Sequence, residues 1–127
     1  MSLSVLIEKI KAWWARPTEA SCMVVERDNG VIRVLTLPPL DPGFHRQFRW
    51  EDITRVCFED GGISLSDLLF IECRNQEKPA VIFTEAKGAA EFLAELVQRG
   101  LFPETIFKKA IGSSGGGMYC WPPKDSE

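Results

Sequence analysis

The sequence predicts an α+β protein, with a mostly antiparallel sheet of about six strands, an N-terminal amphipathic helix and a long helix at 85–99 packed on the sheet. Between residues 21 and 84, apolar residues alternate with polar ones at the period of two that strands require. The segments at 3–14 and 85–99 instead repeat their apolar residues at the helical period. A length of 127 residues indicates a single domain, 1–127.

The first predicted element is a short helix that ends before Pro17, because proline interrupts a helix. Its apolar stripe consists of Leu3, Leu6, Ile7, Ile10, Trp13 and Trp14. We expect this stripe to dock on the chain's own sheet; a membrane surface and a partner protein are the alternatives. The polar face carries both signs of charge, whereas membrane-surface helices are rich in lysine and arginine there, so no membrane contact is expected.

Turn residues divide the strands. Asp28-Asn29-Gly30 supplies the positive φ angles of a tight hairpin turn within residues 21–36. Glu51 and Asp52 are predicted to form one helical turn. Further extended segments are predicted at 44–50, 53–60, 67–74 and 80–84. Short connections of this kind favour antiparallel pairing.

The long helix has recognisable ends. Thr84 is the predicted N-cap, since its hydroxyl can accept a hydrogen bond from the first turn. Gly100 stands at the C′ position, where a Schellman-type end brings Leu101 and Phe102 back onto the helix. A second, shorter helix is predicted at 103–111, with Pro103 at its start.

The C-terminal stretch GSSGGGMYCWPP, residues 112–123, contains no lysine among its glycines and therefore lacks the pattern of a phosphate-binding loop. Residues 112–117 are predicted to be a flexible Gly/Ser-rich segment. Met118 to Trp121 are too aromatic for a disordered tail, so we expect them to lie back on the domain or on a neighbouring chain. Residues 124–127 are predicted to be a disordered tail.

Composition excludes several functions. With 15 basic and 18 acidic residues the net charge is −3, which argues against nucleic acid as a partner. The four cysteines form no C-x-x-C pair and no secretory signal precedes them, so reduced thiols and a cytoplasmic location are expected. The wide cysteine spacing and the single histidine give no zinc pattern, and no cofactor fingerprint is present.

Two groups of polar residues are candidate sites. Glu59, Asp60 and Asp67 surround a glycine turn and, together with the lone His45, could serve a small hydrolase if the fold brings them together. The second group mixes basic and aromatic residues in the composition that single-stranded nucleic-acid or acidic-peptide binders use. It consists of His45, Arg46, Phe48, Arg49 and Trp50.

The middle of the chain resembles a known pattern. "FRWEDITRVCFED", an apolar strand that opens at Asp67, and "VIFTEAKGAAEFLAELVQRGLFP" follow one another within residues 44–102. This order is similar to that of small uncharacterised bacterial domains, and to the second half of pleckstrin-homology-like and GRAM-like domains. The resemblance implies a bent antiparallel sheet closed by a helix, and a binding scaffold without catalytic residues.

The function predicted from these observations is a small non-catalytic protein-interaction module, such as an adaptor, a regulatory subunit or the protective partner of a toxin. No catalytic constellation is apparent, and aromatic residues that interfaces favour stand near both ends of the chain. The candidate interface residues are Trp13, Trp14, Tyr119 and Trp121. The partner is expected to be another protein or a second copy of the chain.

Overall fold

The computed structural model describes residues 22–38, 40, 42–61, 67–111 and 116–123. Its elements in chain order are β1 (Met23–Asp28), β2 (Val31–Thr36), β3 (Arg46–Arg49), β4 (Ile53–Asp60), β5 (Leu68–Cys73), β6 (Ala80–Phe83), α1 (Ala89–Gln98), α2 (Glu104–Ile111) and β7 (Gly117–Trp121). Single 3-10 turns occupy Pro42–Phe44 and Trp50–Asp52. The predicted α+β class with antiparallel strands is confirmed.

The strands form two sheets, where the sequence predicted one sheet of about six strands. The first sheet has the order β1-β2-β3, and the second has the order β6-β5-β4-β7. Every strand pair is antiparallel. The chain leaves the first sheet through the 3-10 turn at Trp50–Asp52, which separates β3 from β4 and redirects the backbone. On either side of this turn the strands have different partners, since β3 pairs with β2 and β4 pairs with β5.

The β1–β2 hairpin forms as the sequence predicts. Asn29 and Gly30 both have positive φ angles, 50° and 79°, which is the backbone of a type I′ turn. The register pairs Asp28 with Val31 and continues to Met23 opposite Thr36. Met23, Val25, Ile32 and Val34 of this hairpin are buried, whereas the residues of β1 nearest the turn, 26–28, are exposed.

The core lies between the two sheets and the helices. Its fully buried large side chains are Met23, Ile32, Val34, Val56, Phe58, Leu69, Ile71, Ile82, Phe92, Leu96 and Phe102. Phe92 of α1 contacts two aromatic rings, with centroids 6.2 Å from Phe48 and 5.3 Å from Trp50. These contacts attach α1 to the end of the first sheet.

The long helix begins later than predicted, at Ala89 instead of residue 85. Thr84 is not its N-cap, because the Thr84 hydroxyl and amide both donate to the carbonyl oxygen of Asp67, at 3.3 and 3.2 Å. Residues 84–88 instead make a turn that ends at Gly88, whose φ is +87°. The carbonyl of Gly88 then accepts the first helical hydrogen bond, from Phe92 at 3.0 Å.

Gly88 is also where α1 approaches β1. The amide of Val25 donates to the carbonyl of Lys87 at 2.8 Å, and a Cβ atom at residue 88 would lie only 2.0 Å from the carbonyl oxygen of Val25. Only glycine fits this contact.

The C-terminal end of α1 confirms the predicted Schellman motif. Leu101 N donates to Leu96 O at 2.9 Å and Gly100 N donates to Val97 O at 3.0 Å, with Gly100 at φ +76°.

Several predictions fall outside the described residues. These are the N-terminal helix with its apolar stripe, most of the Gly/Ser-rich segment 112–117, and the tail 124–127. Of the Gly/Ser-rich segment, Gly116 and Gly117 are described, and Gly117 already belongs to β7. Helix α2 contacts both β4 and β7.

Candidate functional site

The candidate site is the outer edge of β7. This strand is the last in the order β6-β5-β4-β7, so one of its edges faces no other strand of the described residues. Sequence reasoning expected residues 118–121 to fold back on the domain, and they do so by pairing with β4. The pairing was missed because the partner strand lies about sixty residues earlier in the chain.

A disulfide between Cys57 and Cys120 joins β7 to β4. The prediction of four reduced thiols is therefore wrong for these two residues, while Cys22 and Cys73 are free and buried. Cys57 and Cys120 are 63 residues apart, and this wide spacing in the sequence gave no indication that they form a pair. The fold brings the two cysteines directly opposite one another on adjacent strands.

The position of the disulfide shows which backbone groups of β7 point outward. The Cα atoms of Cys57 and Cys120 are 4.0 Å apart, which identifies a non-hydrogen-bonded pair of an antiparallel ladder. Such residues direct their N–H and C=O groups away from each other's strand. Because the pattern alternates, Met118 and Cys120 offer these groups to the free edge, and Tyr119 directs its own toward β4.

The side chains along this edge are uncharged. Met118 is 50% exposed and Trp121 is 38% exposed, whereas Tyr119 packs against the core. Natural sheet edges are usually protected from other chains by lysine, proline or a bulge. Residues 117–121 contain none of these, and proline occurs only after the strand, at Pro122 and Pro123.

A cavity of about 210 Å³ continues from the end of β7. The register of β7 stops at Val56, so the start of β4 projects beyond it and leaves a notch. Its lining residues are Ile53, Thr54, Arg55, Gly100, Leu101, Trp121 and Pro122. Arg55 closes one side, with its Nε donating to the Pro122 carbonyl at 3.0 Å and its Nη1 3.5 Å from the Glu72 carboxylate.

Of the predicted interface residues, the structure therefore places Tyr119 and Trp121 on one strand. Trp121 stands opposite Val56 and Tyr119 opposite Phe58, so both side chains lie on the same face of the sheet. Trp13 and Trp14 lie outside the described residues.

The predicted polar and aromatic patch is divided between two faces. Phe48 and Trp50 are 3% and 7% exposed, so their rings face the core and offer no surface on which a base could stack. His45 and Arg49 are exposed, and Arg49 pairs with Glu51 at 3.6 Å. The alternation of QFRW, residues 47–50, is the sequence signal that separates these residues.

Two aspartates of the predicted carboxylate cluster accept hydrogen bonds from backbone amides. Asp60 is buried and accepts a hydrogen bond from the amide of Gly116 at 3.2 Å. Asp67 accepts one from the amide of Gly61 at 3.0 Å. His45 lies before β3 of the other sheet, where its Nε2 contacts the Thr36 carbonyl at 3.0 Å with the ring N–H donating. Asp60 and Asp67 therefore stabilise the backbone at the end of β4 and just before β5.

Charged side chains of β1 and of the C-terminal end of α1 form a small network. Glu95 of α1 pairs with Arg99 at 2.6 Å and with Arg27 of β1. The Arg99 guanidinium lies 4.3 Å from the ring centroid of Trp50. The hydrogen bond from Arg99 is the main cause that lowers the pKa of the Glu95 carboxyl below its ordinary value of 4.5; burial opposes this, and the hydrogen bond from Arg27 adds to it.

The pKa of one free thiol, that of Cys73, also differs from its ordinary value. Burial, with a smaller contribution from the charge of Asp52, raises the pKa of the Cys73 thiol from 9.0 to about 11. This thiol is therefore protonated at neutral pH.

No group of three or more metal-ligating side chains occurs in the part of the chain that the structure describes. Within the same residues, no helix has the length and apolar character needed to cross a bilayer. Comparisons of the chain with protein-family models, with curated proteins and with solved structures find no match.

Proposed function

We propose that the protein is a non-catalytic interaction module that binds an extended, predominantly apolar segment of a partner protein along the free edge of β7. The observation that carries the proposal is an uncharged edge strand with outward backbone groups at Met118 and Cys120. In strand addition, backbone hydrogen bonds supply affinity and pockets for alternate side chains supply specificity. The notch beside Trp121 would receive one such side chain.

The disulfide supports this use of β7. A segment that must be ordered when it binds pays an entropic cost, and a covalent tie to β4 reduces that cost in advance. The outward N–H and C=O groups are consequently held in the spacing that a further strand requires.

The size of the edge favours a peptide over a second copy of the chain. A strand of five residues is about 17 Å long, and its pairing alone cannot bury the roughly 1,200 Å² that stable dimers need. The apolar character of Met118 and Trp121 favours an apolar segment over the acidic peptide that the predicted polar and aromatic patch suggested.

The test uses displayed peptides and two variants at one position. Met118→Pro removes an outward N–H group and no hydrogen bond to β4, so the fold is expected to persist. Met118→Ala shortens the side chain and keeps that N–H group. Random extended peptides selected on the wild-type protein should bind Met118→Pro at least tenfold more weakly, and Met118→Ala within about threefold.

Hydrogen exchange provides the independent readout, because the amides of Met118 and Cys120 should become protected when a selected peptide binds. Selected peptides that bind Met118→Pro as well as the wild type would contradict the proposal, as would a selection that yields no peptide. A doubled mass in light scattering that Met118→Pro abolishes would instead assign the edge to a second copy of the chain.

A further inference from the structure

A second cavity, of about 380 Å³, lies on the side of the molecule formed by the segment before β3 and the start of β6. Its volume is within the range of small-molecule sites in proteins. The lining residues are Gly43, Phe44, Arg46, Lys78, Pro79 and Val81. It shares no lining residue with the notch beside Trp121.

Arg46 is held in place by the backbone around it. Its Nη1 donates to the carbonyl oxygens of Gly43 and His45, both at 2.7 Å. These two bonds use both hydrogens of Nη1. No hydrogen bond within the described residues uses the N–H groups of Nε and Nη2, and in a guanidinium these form the parallel pair that fits a carboxylate with two hydrogen bonds.

Neither cation of the cavity is neutralised by a residue that the structure describes. Arg46 and Lys78 form no ion pair with the described residues, and no acidic side chain is among the described residues that line the cavity. Arg27, Arg55 and Arg99, by contrast, each pair with a glutamate. Two positive charges with no acidic partner among the described residues lie beside one cavity, and such a pair attracts an anion.

The remaining walls are apolar and fixed. Phe44 packs against the core, and Val81 is a half-buried residue of β6. The amide Nε2 of Gln76 donates to the carbonyl of Gln47 at 3.0 Å, which ties the β5–β6 turn to β3. The two sides of the cavity are therefore connected, and the site requires little ordering when a ligand enters.

We propose that this cavity binds a small organic carboxylate with an apolar chain or ring, the carboxylate contacting Arg46 and Lys78 and the apolar part contacting Phe44, Pro79 and Val81. Nothing in this assignment depends on the proposed peptide-binding edge.

The experiment titrates the full chain with octanoate and, separately, with octanamide, and follows backbone amide shifts by NMR. Octanamide has the same apolar chain without the charge. Octanoate is expected to shift residues 43–46 and 78–81 and to bind at least tenfold more tightly than octanamide, because charge-assisted hydrogen bonds are the stronger kind.

Three variants locate the charge recognition. Arg46→Lys keeps the charge and loses the paired N–H groups, so octanoate should bind roughly tenfold more weakly. Lys78→Gln should weaken it about two- to fivefold, as expected for an exposed ion pair. Lys109→Gln, on the exposed surface of α2, is the matched control and should leave octanoate binding unchanged.

Several results would overturn the proposal: no saturable octanoate binding, equal affinity for octanamide, or shifts centred on β7. If Arg46→Lys failed to fold, the comparison of octanoate with octanamide and the Lys78→Gln variant would still decide it.

Discussion

Replacing Gly88 with alanine should destabilise the protein far more than the same change at Gly100. Both glycines have positive φ angles, +87° and +76°, so each substitution incurs the left-handed backbone cost of about 1 kcal/mol. At Gly100 the new Cβ meets no atom within 4 Å. At Gly88 it would lie 2.0 Å from the carbonyl oxygen of Val25.

The additional cost at Gly88 follows from that overlap. An oxygen 2.0 Å from a Cβ must move by at least about 1 Å, which separates β1 from the start of α1. The 2.8 Å hydrogen bond from Val25 to Lys87 would then be lost, at about 1 kcal/mol, together with a similar amount of packing energy. The expected loss is about 3 kcal/mol for Gly88→Ala and about 1 kcal/mol for Gly100→Ala.

Urea denaturation at fixed pH, followed by tryptophan fluorescence, measures both free energies of unfolding. The thermal midpoint of Gly88→Ala should fall by roughly 10 °C, against about 4 °C for Gly100→Ala. If the two variants lost the same stability within about 0.5 kcal/mol, the close approach of α1 to β1 would be refuted. Gly100→Ala is therefore the matched control.

Three further predictions concern titration and covalent bonding. Reducing the Cys57–Cys120 disulfide, which spans 63 residues, should lower the free energy of unfolding by about 4 kcal/mol in the chain-entropy model. Urea denaturation with and without reductant measures this loss, and four free thiols in the denatured, unreduced protein would contradict the disulfide. Because the pKa of Glu95 is lowered in the folded protein, its contribution to the free energy of unfolding should be complete above pH 4.5 and should decline as the pH falls through the lowered pKa. The difference in unfolding free energy between wild type and Glu95→Gln should therefore shrink in acid, and a difference independent of pH would oppose this. At pH 8 the raised pKa should make the Cys73 thiol at least about a hundredfold slower than a model thiol toward Ellman's reagent, and comparable rates would be inconsistent with its burial.

Local features of the fold could be predicted because neighbouring residues determine them. Asn29 and Gly30 fix a hairpin turn by their own backbone preference, and Gly100 ends α1 for the same reason. The predicted start of α1 was wrong because Thr84 bonds to Asp67, which precedes β5, and no local sequence pattern indicates that contact.

The candidate site was harder to predict because it depends on contacts distant in the sequence. Tyr119 and Trp121 were identified as interface residues from composition, but their strand exists only through pairing with β4. The same pairing joins Cys57 to Cys120 and removes one of the observations behind the cytoplasmic location, which stays a prediction. The burial of Phe48 and Trp50, by contrast, was available from the alternation of residues 47–50.

The pairing of β7 with β4 also has a consequence during synthesis. Strands β4 and β5 are joined by a short connection and can pair as soon as both leave the ribosome, whereas β7 emerges about forty residues after β5. Until then, Val56, Cys57 and Phe58 form the edge of an incomplete sheet, and such edges associate with other chains. The nascent protein therefore passes through a stage in which one edge of β4 is unpaired, and the pairing of β7 ends that stage.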